Sequence, residues 1–256
     1  LNIYVIMKRT FDTEEKITIS NGRIEESSAQ FVINPYDEYA IEEAIVLREK
    51  HGGEVTVVTV DEKDAEKELR TALAMGADKA VLINVEDLDE IDQFTVAKLI
   101  SKYLEKQEFD IILGGNVTVD GGSGQVGPSV AQLLDIPQVT TITNLEVLNG
   151  KATIVRDIEG DEETVEVSLP VLVTAQQGLN EPRYPSLPGI MRAKKKTIEL
   201  LEIEDLDLEE DDIKAKTTVV EIFEPPAKKA GKMLEGDAPI QVKELVSLLR
   251  SEAKVI

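Results

Sequence analysis

Short apolar runs alternate along the first half of the chain with stretches whose apolar residues return every three or four positions. Asn2 to Met7 (Asn-Ile-Tyr-Val-Ile-Met) reads as a buried first strand. Asn34-Pro35 opens a helix, with Asn34 as cap and Pro35 in the first position. Ala40, Ile41, Ala44, Ile45 and Leu47 form its apolar face, and Gly52-Gly53 stops it just after His51. Glu54 to Val60 is a β-branched second strand. Ala65, Leu69, Ala72, Leu73 and Met75 make the next helix, closed by Gly76. Ala80 to Ile83 is a third strand, Phe94 to Leu104 a third helix and Asp110 to Leu113 a fourth strand. Strands that alternate with helices imply parallel, right-handed βαβ units.

The fourth strand leads into Gly114-Gly115-Asn116-Val117-Thr118-Val119-Asp120-Gly121-Gly122-Ser123-Gly124-Gln125-Val126-Gly127-Pro128. Val130, Ala131, Leu133 and Leu134 then recur at helical spacing. Glycine lets backbone approach a ligand closely, and amides at a helix start favour an anion. The pattern reads as a phosphate cradle at a strand's carboxyl end, or as a glycine-rich surface loop that binds nothing. It is neither a Walker loop nor the dinucleotide fingerprint, because both spacings fail. Lys8, Arg9, Thr10, Phe11 and Asp12 leave the first strand at the end where such sheets hold ligands. The two cations either face a phosphate or partner, or form an ordinary basic strand exit.

The second half changes character. Lys16 to Val32 holds short pieces around a turn signal at Asn21-Gly22. Ile136 to Thr143, Leu145 to Leu148, Ala152 to Ile158 and Thr164 to Val167 read as an antiparallel meander, and Leu169 to Ala175 as a strand returning to the main sheet. Between Leu179 and Met191, three prolines in seven residues argue against regular structure and leave Leu187, Ile190 and Met191 on a stiff loop. Arg192, Lys194, Lys195 and Lys196 follow as a basic cluster. Glu199 to Ile213 holds nine acids and no base, interleaved with aliphatics. Thr217 to Phe223 reads as one strand. After Pro225-Pro226 and Gly231, Val242, Leu245, Val246, Leu248 and Leu249 make a last amphipathic helix that needs a partner to cover it.

Composition narrows the chemistry. The 256 residues include no Cys and one His, His51, so thiolate catalysis, cysteine-ligated metals and a His-based triad within the chain are excluded. No metal site is expected. A net charge of −22 argues against nucleic acid or an anionic membrane as partner. No apolar run long enough for membrane insertion and no signal-like amino end is found, so a cytoplasmic location is expected.

Several segments together resemble the β subunit of electron transfer flavoprotein. They are Leu179-Asn180-Glu181-Pro182-Arg183-Tyr184, Leu187-Pro188, Ile190-Met191, Ala193-Lys194-Lys195-Lys196, Arg70-Thr71-Ala72-Leu73-Ala74-Met75-Gly76-Ala77-Asp78, Asn34-Pro35 and Asp120 to Gly127, together with Arg156 through Pro170 to Ala175. The resemblance implies a heterodimer with an α subunit that holds most of one FAD. It implies electron uptake from acyl-CoA and related dehydrogenases, as in fatty acid β-oxidation, and delivery to a quinone oxidoreductase. It also implies a structural AMP in this chain and no catalytic residue. The AMP site carried over comprises Ile6, Asn34, Pro35, Tyr36, Asp37, Val60, Asp120, Gly121, Gly122, Ser123, Gly124, Gln125, Val126 and Gly127. Phe11 and Tyr36 match positions near the flavin of α. Asp157 matches an acidic position that pairs with α. Tyr184, Leu187, Pro188, Ile190 and Met191 match the dehydrogenase-docking loop, with Leu187 as its anchor.

The expected fold is α/β: a parallel, Rossmann-like open sheet with flanking helices, an antiparallel meander and an extended carboxyl-terminal arm. Residues 1–198 would form the nucleotide-binding domain, with an antiparallel insertion at about 144–168 and the recognition loop at about 179–196. Residues 199–256 would be an acidic segment and arm packing on α. Two alternatives stay open: a bifurcating β subunit with a second FAD and NADH oxidation, and a stand-alone ATP-binding module.

Overall fold

The computed structural model describes residues 1–256 except 15, 21, 26–28, 228 and 229, and of residue 210 only the backbone. β1 (Asn2–Ile6) leads into β2 (Arg9–Phe11), which pairs antiparallel with β5 (Phe31–Ile33). Between them β3 (Ile19–Ser20) and β4 (Arg23–Ile24) form a small ribbon. The turn expected at Asn21-Gly22 falls between these strands, but Asn21 itself lies outside the described residues. Then follow α1 (Pro35–His51), β6 (Glu54–Asp61), α2 (Glu66–Met75), β7 (Lys79–Asn84), α3 (Gln93–Leu104), β8 (Ile111–Gly115) and α4 (Val126–Leu133). The alternation of apolar runs and helical stripes is thus realised element by element.

Nine strands form the main sheet: β9 (Gln138–Leu148), β10 (Lys151–Ile158), β11 (Asp161–Ser168), β12 (Val171–Ala175) and β13 (Ile198–Leu201) join β1, β6, β7 and β8 in the order β11-β10-β9-β12-β8-β1-β6-β7-β13. Every pairing from β9 to β13 across this order is parallel. The chain runs from β1 outward through β6 and β7, then crosses back to β8 on the other side of β1. A crevice therefore opens at the carboxyl ends of β1 and β8, where the direction of winding reverses. Ile3, Val5, Val55 and Val57 pack on one face beneath α1 and α2, while Val58, Ile112 and Leu172 pack on the other beneath α3 and α4.

Four expectations need correction. The antiparallel meander is present, but two of the pieces read separately, Ile136–Thr143 and Leu145–Leu148, are joined in one strand, β9, which starts at Gln138. Its first half runs parallel to β12 and its second half antiparallel to β10. The ladder shifts register at this junction, beside Thr141 at φ 57°. Nor do the prolines prevent regular structure. α5 (Leu187–Ala193) starts inside that stretch, with Ser186 capping it by accepting from the Gly189 amide at 3.1 Å. Pro188 sits in the first turn, where a missing N–H costs nothing.

The acidic segment is not part of the arm. β13 pairs with β7, and α6 (Glu210–Ile213) follows it. Leu206 and Ile213 are buried with the α3 side chains. The body accordingly runs from Leu1 to Glu221 rather than ending at 198. Lastly, Thr217–Phe223 is not a strand. The amides of Lys216 and Thr217 at its start are taken by the Asp92 carboxylate, at 2.7 and 2.9 Å, instead of by a ladder.

The second unit, Ile222–Ile256, carries α7 (Ala238–Leu248), capped by Asp237 and continued by a wide turn over Leu249–Ala253. α7 has no buried residue, and Ile240, Val242 and Leu245 are exposed on it. Among the described residues no helix is long and apolar enough to cross a membrane.

Candidate functional site

A cleft of about 410 Å³ opens at the crevice between β1 and β8. The exits of three strands line it: Ile6 to Arg9 from β1, Val60 to Glu62 from β6, and Gly114-Gly115 from β8. Ile6, Val60, Val85, Val96, Ile100 and Val126 give it apolar walls. Among the described residues no acceptor in the chain takes the amides of Ser123, Gly124, Gln125, Val126 or Gly127. These five N–H groups stand at the start of the eight-residue α4. A helix start with unpaired donors beside an apolar slot suits a ligand with one flat apolar part and one anionic group.

Glycine is required here by proximity. A Cβ on Gly115 would collide with Asp37 Oδ1 and Tyr36 Cβ, and one on Gly127 would press on Thr174 Cγ2 at 2.9 Å. The two chain exits are joined by Asp37, 4% exposed, whose carboxylate accepts from the amides of Lys8 at 2.8 Å and Gly115 at 2.7 Å. Burial pushes its pKa up to about 7, against the pull of these two donors.

Asn34 is where the sequence reading of a helix cap fails. It stands at the cap position but its side chain makes no capping bond. It donates instead to the Val117 carbonyl at 2.9 Å and accepts from the Val119 amide at 3.2 Å. The side chain is used up in tying the glycine loop to the start of α1. Lys8 and Arg9 are likewise committed. Lys8 Nζ lies 2.6 Å from Asp120, and Arg9 forks onto Asp61 and stacks over the Phe31 ring at 4.5 Å. Partial burial pushes the Asp120 carboxyl up, but the Lys8 ammonium and Thr118 hold it below the ordinary carboxylate range.

Of the expected nucleotide residues, Ile6, Asp37, Val60, Asp120, Gly121, Ser123, Val126 and Gly127 line the cleft. Phe11 also lines it, stacked on Phe31 at 4.7 Å. Asn34, Pro35 and Tyr36 at the α1 start, and Gly122, Gly124 and Gln125 in the loop, are close to lining residues in the chain but do not line the cleft themselves. Asp157 is elsewhere: it is exposed on β10, opposite Glu162. Sequence reasoning missed Gly115, Thr118, Phe31 and the Asp61–Arg9 pair. The paired glycines ending the fourth strand were the available signal for the first.

A second constellation surrounds α5. Arg183 reaches α1, where it grips Glu42 at 2.8 Å and Glu49 at 2.7 Å. Asn180 donates to the Tyr39 carbonyl and to Glu43, both at 3.0 Å. From α2, Arg70 donates to the carbonyls of Ala193, the last residue of α5, at 2.7 Å and of Lys196, just past it, at 2.6 Å. Gly189 lies so close to the Ala74 carbonyl that a Cβ would collide with it. Lys196, from the basic cluster, donates to the Ala77 carbonyl at 2.6 Å. So fastened, the segment holds Tyr184 94%, Leu187 79% and Met191 60% exposed, with Pro188 and Ile190 also exposed. All five expected docking residues fall on this one platform.

Comparison with known proteins shows the family. A family model described as the electron transfer flavoprotein domain matches residues 21–206. The chain is 64% identical to electron transfer flavoprotein subunit beta of Bacillus subtilis (strain 168), over all of both chains. It is 38% identical to the protein of that name from Syntrophomonas wolfei, over 100% of this chain and 98% of the other. To the human protein of that name it is 35% identical, over 92% of this chain and 93% of the other.

Proposed function

This chain belongs to the electron transfer flavoprotein family as a β subunit, and from that premise we propose that it pairs with an α subunit, holds AMP in the β1–β8 cleft and presents α5 to acyl-CoA and related dehydrogenases. The complex takes electrons from these dehydrogenases through an FAD held mainly by α, and passes them to a quinone oxidoreductase. The flavin supplies the redox chemistry. This chain supplies binding, spacing and interface, which suits a sequence with no Cys and one His.

The observation that carries the nucleotide reading is the set of five unpaired amides from Ser123 to Gly127 beside the apolar slot. The phosphate would sit on these amides and the adenine between Ile6, Val60 and Val126. A single phosphate suits the charge distribution better than a longer chain of them. Both cations of the cleft, Lys8 and Arg9, are already neutralised by Asp120 and Asp61. Glu62 and Asp92 add further carboxylates to the lining. A second or third phosphate would meet negative charge without a free counter-ion. Phe11 would face the flavin domain from the cleft's rim, and Asp157 would contact α from the outer hairpin.

The test is the nucleotide inventory of the purified αβ complex, released by denaturation and identified by mass. One FAD and one AMP per heterodimer is the expected result. Two FAD and no AMP would overturn the AMP assignment and make the cleft part of a bifurcating site.

A further inference from the structure

The seam between α2 and α5 carries an open pit of about 380 Å³, outside the nucleotide cleft. Ala74, Pro185 and Ile190 give it an apolar lining, and Lys67, Arg70 and Lys194 bring basic side chains to it. Arg70 is spent on Glu66 and on the two carbonyls at the α5 end. Lys67 is held more loosely: its side chain is 70% exposed and it pairs with Glu68 at 3.6 Å. Among the described residues Lys194 forms no ion pair, and neither do Arg192 and Lys195 beside it. In a chain of net charge −22, three basic side chains line one apolar pit, and among the described residues Lys194 is without an ion pair. Leu187 and Met191 project from α5 beside it.

We propose that this pit is the receiving half of the docking surface: it takes one apolar side chain of the dehydrogenase, flanked by a carboxylate that pairs with Lys67 or Lys194. The proposal rests on the reading of α5 as the dehydrogenase contact. A lone projecting anchor such as Leu187 leaves the partner free to rotate about it. A second contact of opposite sense, where the partner projects and this chain receives, fixes that rotation. The apolar floor rewards desolvation of a small side chain, and the rim charges select an acidic neighbour and steer its approach. The pit keeps its shape because Gly189 seats α5 on the Ala74 carbonyl and Arg70 ties down its end.

The experiment compares three variants of the full αβ complex: Thr71→Phe, Lys67→Glu/Lys194→Glu and Leu187→Ala. Thr71 lines the pit, so Thr71→Phe fills it from the α2 side without touching the Gly189 contact. Electron uptake from a purified acyl-CoA dehydrogenase is followed at low and high salt, with FAD content, melting temperature and equilibrium binding as further readouts. Thr71→Phe should lower kcat/KM by about ten-fold through KM and weaken binding alike, with flavin content unchanged. The double charge reversal should do the same at low salt and recover toward wild type at high salt. If Leu187→Ala slows uptake while the other two bind and turn over as wild type, the pit is not part of the docking surface. If none of the three changes uptake or binding, the α5 reading itself falls and the proposal with it.

Discussion

The cleft and the α5 platform solve opposite problems with opposite materials. The cleft is built from backbone: unpaired amides, glycines admitted by close approach, and one buried carboxylate joining two strand exits. Its two cations are neutralised internally, Lys8 by Asp120 and Arg9 by Asp61. The platform is built from long side chains that reach across elements, Arg183 to α1 and Arg70 to the α5 end. Those contacts are spent on rigidity, and the apolar tips are left outside. A small ligand can be enclosed by backbone that is fixed locally. A protein partner needs a surface whose projecting groups are held from below.

The sharpest way to break this comparison is a pair of glycine substitutions. Gly115→Ala forces a Cβ into Asp37 and Tyr36, and Gly189→Ala forces one into the Ala74 carbonyl. Each should cost about 1–3 kcal/mol, seen as a lower melting temperature. The consequences should separate. Gly115→Ala should lose AMP and keep dehydrogenase binding, whereas Gly189→Ala should do the reverse. Parallel loss of both in either variant would show that the two regions are one cooperative unit.

Arg183→Ala is the next largest effect. It strips the buried Glu42 of its partner and frees the segment that carries Tyr184 and Leu187. A loss of about 1–3 kcal/mol is expected, discounted from a fully buried pair because Arg183 is about a third exposed. Its kinetic signature should be a raised KM for the dehydrogenase. An unchanged KM would mean that the platform is stiff without this anchor.

Asp37 gives a pH test. Its native carboxyl titrates at about 7 because of burial, whereas an unfolded Asp titrates near ~3.9. Between these values the native state binds the proton and the unfolded state does not. Stability should therefore fall as pH rises from about 4 to about 7 and level off above that. Asp37→Asn should remove this slope in denaturant melts taken across the range. A slope that survives belongs to other groups.

Asp92 gives the smallest effect and the opposite sign. Slight burial pushes its carboxyl up, but the amides of Thr95, Lys216 and Thr217 bring it down to about 2. Its contribution is present above the unfolded value and is lost as pH falls toward about 2. Asp92→Asn should speed amide exchange at Lys216 and Thr217. Unaltered exchange there would show that another contact anchors this segment.

Strand and helix order in the first half was legible because βαβ units bury continuous apolar runs between amphipathic helices, and both patterns are local. The glycine loop was legible for the same reason: strand end, glycines and helix start are contiguous. The family resemblance likewise lies in the residues themselves, and it brought Leu187 and its neighbours together before any coordinates did. What the sequence could not reveal was pairing over long separations. Asn34 looks like a cap in a local window, and only the folded chain brings Val117 and Val119 within its reach. The acidic segment reads as part of an arm that packs on a partner, and only β7 turns part of it into a sheet edge. Three prolines look like a loop until Ser186 and Pro188 are seen to start a helix seated on α2. Local pattern determined which segments would be strands and helices, because backbone preference and hydrophobic period act over a few residues. Tertiary contact decided where each polar side chain was spent, because a hydrogen bond goes to whichever donor or acceptor the folded chain carries within reach.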